Sequence, residues 1–282
     1  MRLLRAGELP ERVALEDDLI VESENLDAIR RLPRDAFEVI YLDPPFNTGK
    51  RRQLHRIGFA DEHDDFLAFI EPRLREARAL LAPEGTLYFH IDPRESHYCK
   101  VLLDRIFGRE QFLNEIVWAY DYGGRTKSRW PAKHDTILVY VKDRGRYHFD
   151  SAEVDREPYM APGLQTAARL ERGKLPTDVW WHTIVHTSGR ERTGYPTQKP
   201  EGIVRRMVAA SSRPGGWCLD FFAGSGTLGA VAAALGRRYV LVDESPDAVA
   251  VMVARLGGAE ADARGGTRTH MPRRAGAFKA PA

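Results

Sequence analysis

Cysteine is almost missing from this chain: Cys99 and Cys218 are the only two among 282 residues, far apart and each inside an apolar segment. That excludes a disulfide framework and falls short of a structural zinc site; it fits two buried, reduced thiols in a cytosolic protein. No run of about 18 apolar residues occurs, which excludes a membrane-spanning helix. Residues 1–12 are charged and hold no apolar stretch of signal-peptide length, so a cytoplasmic location is expected. Neither charge sign dominates. With 42 Lys and Arg against 40 Asp and Glu, the net charge of +2 is too small to announce a nucleic acid. Internal repeats are also lacking.

What is present is an apolar fraction of 43%, enough for a substantial core, arranged as alternating strands and helices. Strands are expected at residues 19–21, 37–42, 86–91, 112–120, 136–142, 217–221 and 239–242. Helices are expected at 25–32, 65–81, 100–107, 203–211, 227–235 and 246–256, with Pro83-Glu84-Gly85 ending the second of them. Such alternation predicts an α/β fold with a doubly wound, mostly parallel sheet, whose ligands gather outside the carboxyl ends of the strands. Asp43, Asp220 and Asp243 all fall at such ends. Residues 121–195 differ: Gly and Pro are frequent and helical periodicity is poor. An inserted module is expected there, with strand 136–142 returning to the main sheet. It would divide a first half at 13–120 from a second half at 196–256, and a disordered tail is expected at 257–282.

Two motifs carry chemistry. Asp43-Pro44-Pro45-Phe46 closes the strand at 37–42 with a carboxylate, a rigid diproline and an aromatic ring, a set suited to a flat base and its exocyclic amine. Far downstream, Phe222-Ala223-Gly224-Ser225-Gly226-Thr227 follows another strand, and Gly224-Ser225-Gly226-Thr227-Leu228-Gly229 fits G-x-G-x-x-G, with Asp243 ending the next strand. That fingerprint alone suits a nicotinamide dehydrogenase. Too few strands remain after it, however, so the rest of the sheet must come from earlier in the chain, as in a circular permutation. Asp220 just ahead of the glycines also suits a ligand with a cationic amino group better than a pyrophosphate. S-adenosylmethionine has an amino group, a sulfonium and an adenosine, and it fits.

Basic residues cluster near both motifs: Lys50, Arg51, Arg52 and Arg56 in one stretch, and Arg125, Lys127, Arg129 and Lys133 beside Tyr122 and Trp130 in another. Interleaved cations and aromatics can meet phosphates and bases. Trp180 and Trp181 are open to either DNA contact or packing. His182 and His186 have zinc-like spacing, but the strand expected at 183–185 would set them too far apart and no third ligand accompanies them, so no metal is expected. His134 is read as orienting a strand end, and Asp92 as structural.

Taken together, these motifs resemble the β group of amino-methylating DNA methyltransferases. Asp43-Pro44-Pro45-Phe46 is similar to the family's D-P-P-Y/F, extended by Asn47-Thr48-Gly49 as in adenine-N6 members. Residues 222–227 resemble its cofactor motif, and Pro196-Thr197-Gln198-Lys199-Pro200 the P-T-Q-K-P segment before it. The stretch from Lys133 to Tyr140 also looks like the family's strand in this position. The order of target motif, recognition region and cofactor motif is the one that defines the group. The resemblance spans about residues 17–256 and implies a class I S-adenosylmethionine-dependent fold that methylates the N6 amine of a flipped adenine.

Asp43 and the Pro44 carbonyl would then accept from the amine, Pro45 would stiffen the turn and Phe46 would stack on the base. Asp220, Phe222, Ala223, Gly224, Ser225, Gly226 and Thr227 would surround the methyl donor, with Asp243 on its ribose and Thr197 and Lys199 at its carboxylate. Ser23-Glu24 replaces the Gly-Asp frequent in the family, and Glu24 is the residue left to reach the donor's adenine. The implied partner is double-stranded DNA in the nucleoid of a prokaryote, with a homodimer and a cognate restriction endonuclease left open. Cytosine-N4 methylation is the nearest alternative, although its enzymes more often begin the motif with Ser. A dehydrogenase and a catalytically silent DNA-binding protein are the others.

Overall fold

The computed structural model describes residues 1–263 except Thr48, Gly49, His55, Arg56, Glu62 and Gly124; over 50–54, 57–61 and 258–263 it describes the backbone alone. In chain order, β1 (Arg2–Arg5), β2 (Leu19–Glu22), α1 (Asn25–Arg30) and β3 (Phe37–Leu42) come first. A hairpin follows, β4 (Lys50–Leu54) with β5 (Ile57–Asp61), then α2 (Phe66–Leu80), β6 (Leu81–Ile91) and α3 (Pro93–Phe107). Next are β7 (Phe112–Ala119), β8 (His134–Val141), α4 (Ala167–Arg172) and β9 (Val179–Trp181). The chain then runs through α5 (Glu201–Ser211), β10 (Trp217–Asp220), α6 (Thr227–Ala234), β11 (Arg238–Asp243) and α7 (Pro246–Ala263).

Among the described residues nine strands form one sheet, in the order β1-β2-β11-β10-β3-β6-β8-β7-β9. From β1 to β6 all pairs are parallel; β8 is antiparallel to both β6 and β7, and β9 runs parallel to β7. Strand alternation sorts the side chains onto two buried faces. Leu19, Val21, Leu138, Tyr140, Val240 and Val242 pack with α1, α2 and α3 on one face. Ile20, Ile137, Val139, Tyr239 and Leu241 pack with α5, α6 and α7 on the other. Each fully buried aliphatic side chain contributes about 1.5–3 kcal/mol relative to exposure.

The winding reverses between β10 and β3. From β10 the chain crosses through α6 to β11 on one side, whereas β3 leads through α2 to β6 on the other. A crevice opens at the carboxyl ends where such a reversal occurs.

Several elements differ from the sequence reading. The sheet begins at Arg2, before residue 13, because β1 pairs along β2. Pro83-Glu84-Gly85 lies inside β6, whose pairing with β3 shifts register between Phe37 and Val39 to accommodate it. Val179–Trp181 is a strand of the main sheet, while residues 183–185 are not extended into one, so the geometry expected for His182 and His186 does not form. Each of those rings instead hydrogen-bonds locally, to the Thr183 carbonyl and to Ser188. α7 continues past Leu256 to Ala263, running through Gly257 and Gly258, both poor helix formers, before alanines and a glutamate that favour helix; the rest of the expected tail lies outside the described residues. Cys99 and Cys218 are both buried and free, and burial pushes each thiol up to about 12.

Candidate active site

At the carboxyl ends of β2, β11, β10 and β3 lies a cleft of about 1040 Å³. Its wall and floor include Asp43, Pro44, Pro45 and Phe46 from beyond β3, and Asp220, Phe222, Ala223, Gly224, Ser225 and Thr227 from beyond β10. Asp243, Glu24, Thr197 and Lys199 join them. Strands β3 and β10 are adjacent, with Val39 opposite Cys218 and Ile40 opposite Leu219. The sheet thus juxtaposes two motifs that are far apart in sequence.

The glycine turn is built from backbone hydrogen bonds to the two strand-end carboxylates. Asp220, buried, accepts from the Phe222 N–H at 2.9 Å; Asp243 accepts from Gly224 N–H at 2.8 Å and Ser245 N–H at 2.9 Å. Ala223 N–H donates to the Val242 carbonyl. Gly224 has φ +47°, and a Cβ there would sit 2.9 Å from the Tyr195 ring, so the turn needs a residue without one. Gly226 stands at the N-cap of α6, and a Cβ on Gly229 would fall 2.6 Å from Leu241, so its absence lets α6 lie close on β11. Burial raises both carboxyls above their ordinary range, Asp220 strongly, with further contributions from neighbouring acids. The turn therefore gathers acceptors and bare backbone around a small space.

One wall is an aromatic and polar cluster that the sequence reading did not pick out. Phe222 lies 6.2 Å from Phe69, which stacks on His63 at 4.1 Å and carries the Arg73 guanidinium 3.9 Å above its ring. Arg73 donates to Glu24 and to Asn25, both at 2.6 Å, and Asn25 donates to the Phe221 carbonyl. Glu24 also caps α1 by accepting from Asp27 N–H. It is thereby held among the residues that line the cleft.

Beneath Phe46 runs a buried polar chain. His90, with no exposed surface, meets the Tyr41 hydroxyl at 2.9 Å through Nδ1 and Asp135 at 3.1 Å through Nε2; Tyr120 donates to the other Asp135 oxygen. Burial would raise the Asp135 carboxyl, but the His90 hydrogen bond and charge bring it below the usual range. The His90 ring supports Phe46 at 5.8 Å and Trp118 at 5.5 Å. A histidine inside the otherwise apolar strand Leu87-Tyr88-Phe89-His90-Ile91 was the available signal for this layer.

Lys199 meets a carboxylate of the protein itself. Its ammonium lies against the Asp43 carboxylate, 2.7 Å from Oδ1 and 2.5 Å from Oδ2, and 4.8 Å from the centre of the Phe46 ring. Asp92 caps α3 and pairs with Arg94, as a structural role requires. Trp180 is buried, in packing, and Trp181 is exposed. Arg125, Lys127 and Arg129 are solvent-facing beside Trp130, which is 96% exposed, while Lys133 donates to the Gly123 carbonyl and closes that loop. Tyr122, Gly123 and Ala132 of the same loop reach the cleft. Lys50, Arg51 and Arg52 lie on β4; their side chains, and Arg56, fall outside the described residues.

A DNA methylase family model matches residues 37–254. The DNA adenine methyltransferase YhdJ of Escherichia coli K12 is 28% identical over 263 residues, covering 90% of this chain and 87% of its own. The Type II methyltransferase M.HpaI of Haemophilus parainfluenzae is 31% identical over 246 residues, 85% of this chain and 74% of its own. Among solved structures, the cytosine-N4-specific PvuII DNA methyltransferase has a similar fold, with a TM-score of 0.64 at 16% identity over 84% of this chain and 85% of that one. TTHA0409 of Thermus thermophilus, solved with S-adenosyl-L-methionine, reaches 0.58 at 20% identity over 86% and 93%.

Proposed function

The chain belongs to the DNA methylase family matched over residues 37–254, and on that premise we propose that it methylates the N6 amine of adenine in duplex DNA. It is a DNA methyltransferase, and its cofactor is S-adenosylmethionine. The observation that carries the adenine reading is the Asp43 carboxylate lining the same cleft as the glycine turn, one strand away. The chain order, with β3 ahead of β10, is read as a circular permutation of the parallel-sheet fold.

The residues present fit the cofactor. Three carboxylates, Asp220, Asp243 and Glu24, supply acceptors for an amino group and ribose hydroxyls, and the bare backbone at Gly224 leaves room beside Tyr195. When bound, S-adenosylmethionine supplies a methyl group made electrophilic by its sulfonium. The protein's part is to prepare the amine, whose lone pair is delocalised into the base. Asp43 and the Pro44 carbonyl would accept its two hydrogens, favouring a pyramidal nitrogen with an available lone pair. Diproline fixes the carbonyl direction. Phe46, backed by His90, would stack on a base flipped from the duplex at a cost of a few kcal/mol. The cations of the 121–133 loop would hold the DNA backbone.

The test is incubation of the purified protein with radiolabelled S-adenosylmethionine and mixed-sequence duplex DNA, followed by nucleoside chromatography. Label in N6-methyladenine supports the reading. Label in N4-methylcytosine replaces adenine by cytosine with the same amine chemistry. DNA binding with no transfer, on unmethylated genomic DNA as well, leaves a silent DNA-binding protein.

A further inference from the structure

Lys199 has two candidate anionic partners: the Asp43 carboxylate, which its ammonium meets, and the carboxylate end of the methyl donor, which the family resemblance implies. We propose that Lys199 is a positioning residue for Asp43, fixing the plane of the acceptor carboxylate toward the target amine, rather than a ligand of the methyl donor. The inference rests on the reading of the cleft as an amine-methylating centre.

Three observations support it. First, the ammonium bridges both Asp43 oxygens, at 2.7 and 2.5 Å, in a buried position. The terminal torsion of an aspartate is broad when free, and a donor on both oxygens removes that freedom while each oxygen keeps a lone pair for an amine hydrogen. Second, the segment that delivers Lys199 is clamped on both sides. Gln198 accepts from the Thr193 N–H and hydroxyl and donates to the Glu191 carbonyl. The Lys199 carbonyl accepts from Thr227, which itself accepts from Arg255. Thr197 takes φ +66°, left-handed backbone that a threonine adopts only under such constraint. Third, Lys199 lies over the ring of Phe46, so one side chain touches both parts of the target motif, the acceptor and the stacking surface.

The experiment compares Lys199→Met, Lys199→Arg and Asp43→Ala in the full chain, by single-turnover methylation and by calorimetric binding of S-adenosylmethionine without DNA. Thermal melts identify folded variants. The expected result for Lys199→Met is a methylation rate about 10²-fold lower at saturating cofactor, the scale of a misplaced reacting group, with cofactor Kd within about threefold of wild type. Lys199→Arg, which keeps a cation, should recover a substantial part of the rate and serves as the test if the Met variant does not fold. A cofactor Kd raised about tenfold or more in either variant, with the saturated rate unchanged, overturns the inference and returns Lys199 to the methyl donor. Asp43→Ala separates the two failures: if it transfers methyl groups at the wild-type rate, the reading of the cleft itself is wrong.

Discussion

The cleft floor and the 121–133 loop are built on opposite principles. In the floor, Asp43 is held by Lys199, Asp220 and Asp243 accept from backbone N–H groups of the glycine turn, and His90 joins Asp135 and Tyr41. In the loop, Arg125, Lys127, Arg129 and Trp130 face solvent. Reaction chemistry needs donors and acceptors fixed before the substrate arrives, because their reorganisation would add to the barrier. A surface that meets a long polyanion needs only charge and reach, since phosphate contacts tolerate small displacements. If this contrast is right, substitutions in the floor change rate and those in the loop change affinity.

The sharpest way to break the contrast is Asp43→Ala. A loss of at least about 10²-fold in single-turnover methylation is expected, with DNA affinity retained; a loss confined to DNA binding would erase the distinction. Next comes Phe46→Ala, where removal of the stacking surface should reduce kcat/KM by roughly 5- to 150-fold, equivalent to about 1–3 kcal/mol. Flipping of 2-aminopurine at the target position, read by its fluorescence, would be weakened in the same variant.

On the loop side, the combined Arg125→Ala, Lys127→Ala and Arg129→Ala variant should lower the slope of log affinity against log salt by about 2–3. Its rate at saturating DNA should equal that of wild type. An unchanged slope would mean these cations do not meet phosphates.

The smallest expected effect tests the cost of the floor. Asp220 is a buried carboxyl raised above its ordinary range by desolvation. Between the ordinary carboxylate range and its folded value, the native state keeps a proton that the unfolded chain has released, so stability falls as pH rises through that window. Asp220→Asn keeps an acceptor for Phe222 N–H without the charge. It should raise Tm by roughly 2–4 °C at neutral pH and flatten the decline with pH, while weakening cofactor binding. A lower Tm would show the carboxyl group to be structurally required.

Much of this arrangement was legible from residue order. The strands at 37–42 and 239–242 could be read because sheets covered on both faces have near-continuous apolar strands. Asp43-Pro44-Pro45-Phe46 and residues 222–227 could be read because each holds its chemistry in consecutive residues. Tyr41, His90, Tyr120 and Asp135 could not, because the chain that links them runs across β3, β6, β8 and the end of β7. Arg73 is likewise one cation among several on α2 by residue order; only the fold brings Asn25 and Glu24 beside it. Short edge strands such as β1 and β9 escaped notice because three or four residues carry too little periodicity.

Residue order alone therefore determined the fold class and the two motifs at the strand ends, since backbone propensity, apolar alternation and turn chemistry are local properties of the chain. Only the tertiary structure decided which strands lie side by side, and so that β3 and β10 share one crevice at the reversal of the sheet. It also decided that Lys199 faces Asp43. A long, flexible side chain is directed by the clamps on its backbone, and those clamps come from residues 191–193 and 227, brought together only when the chain folds.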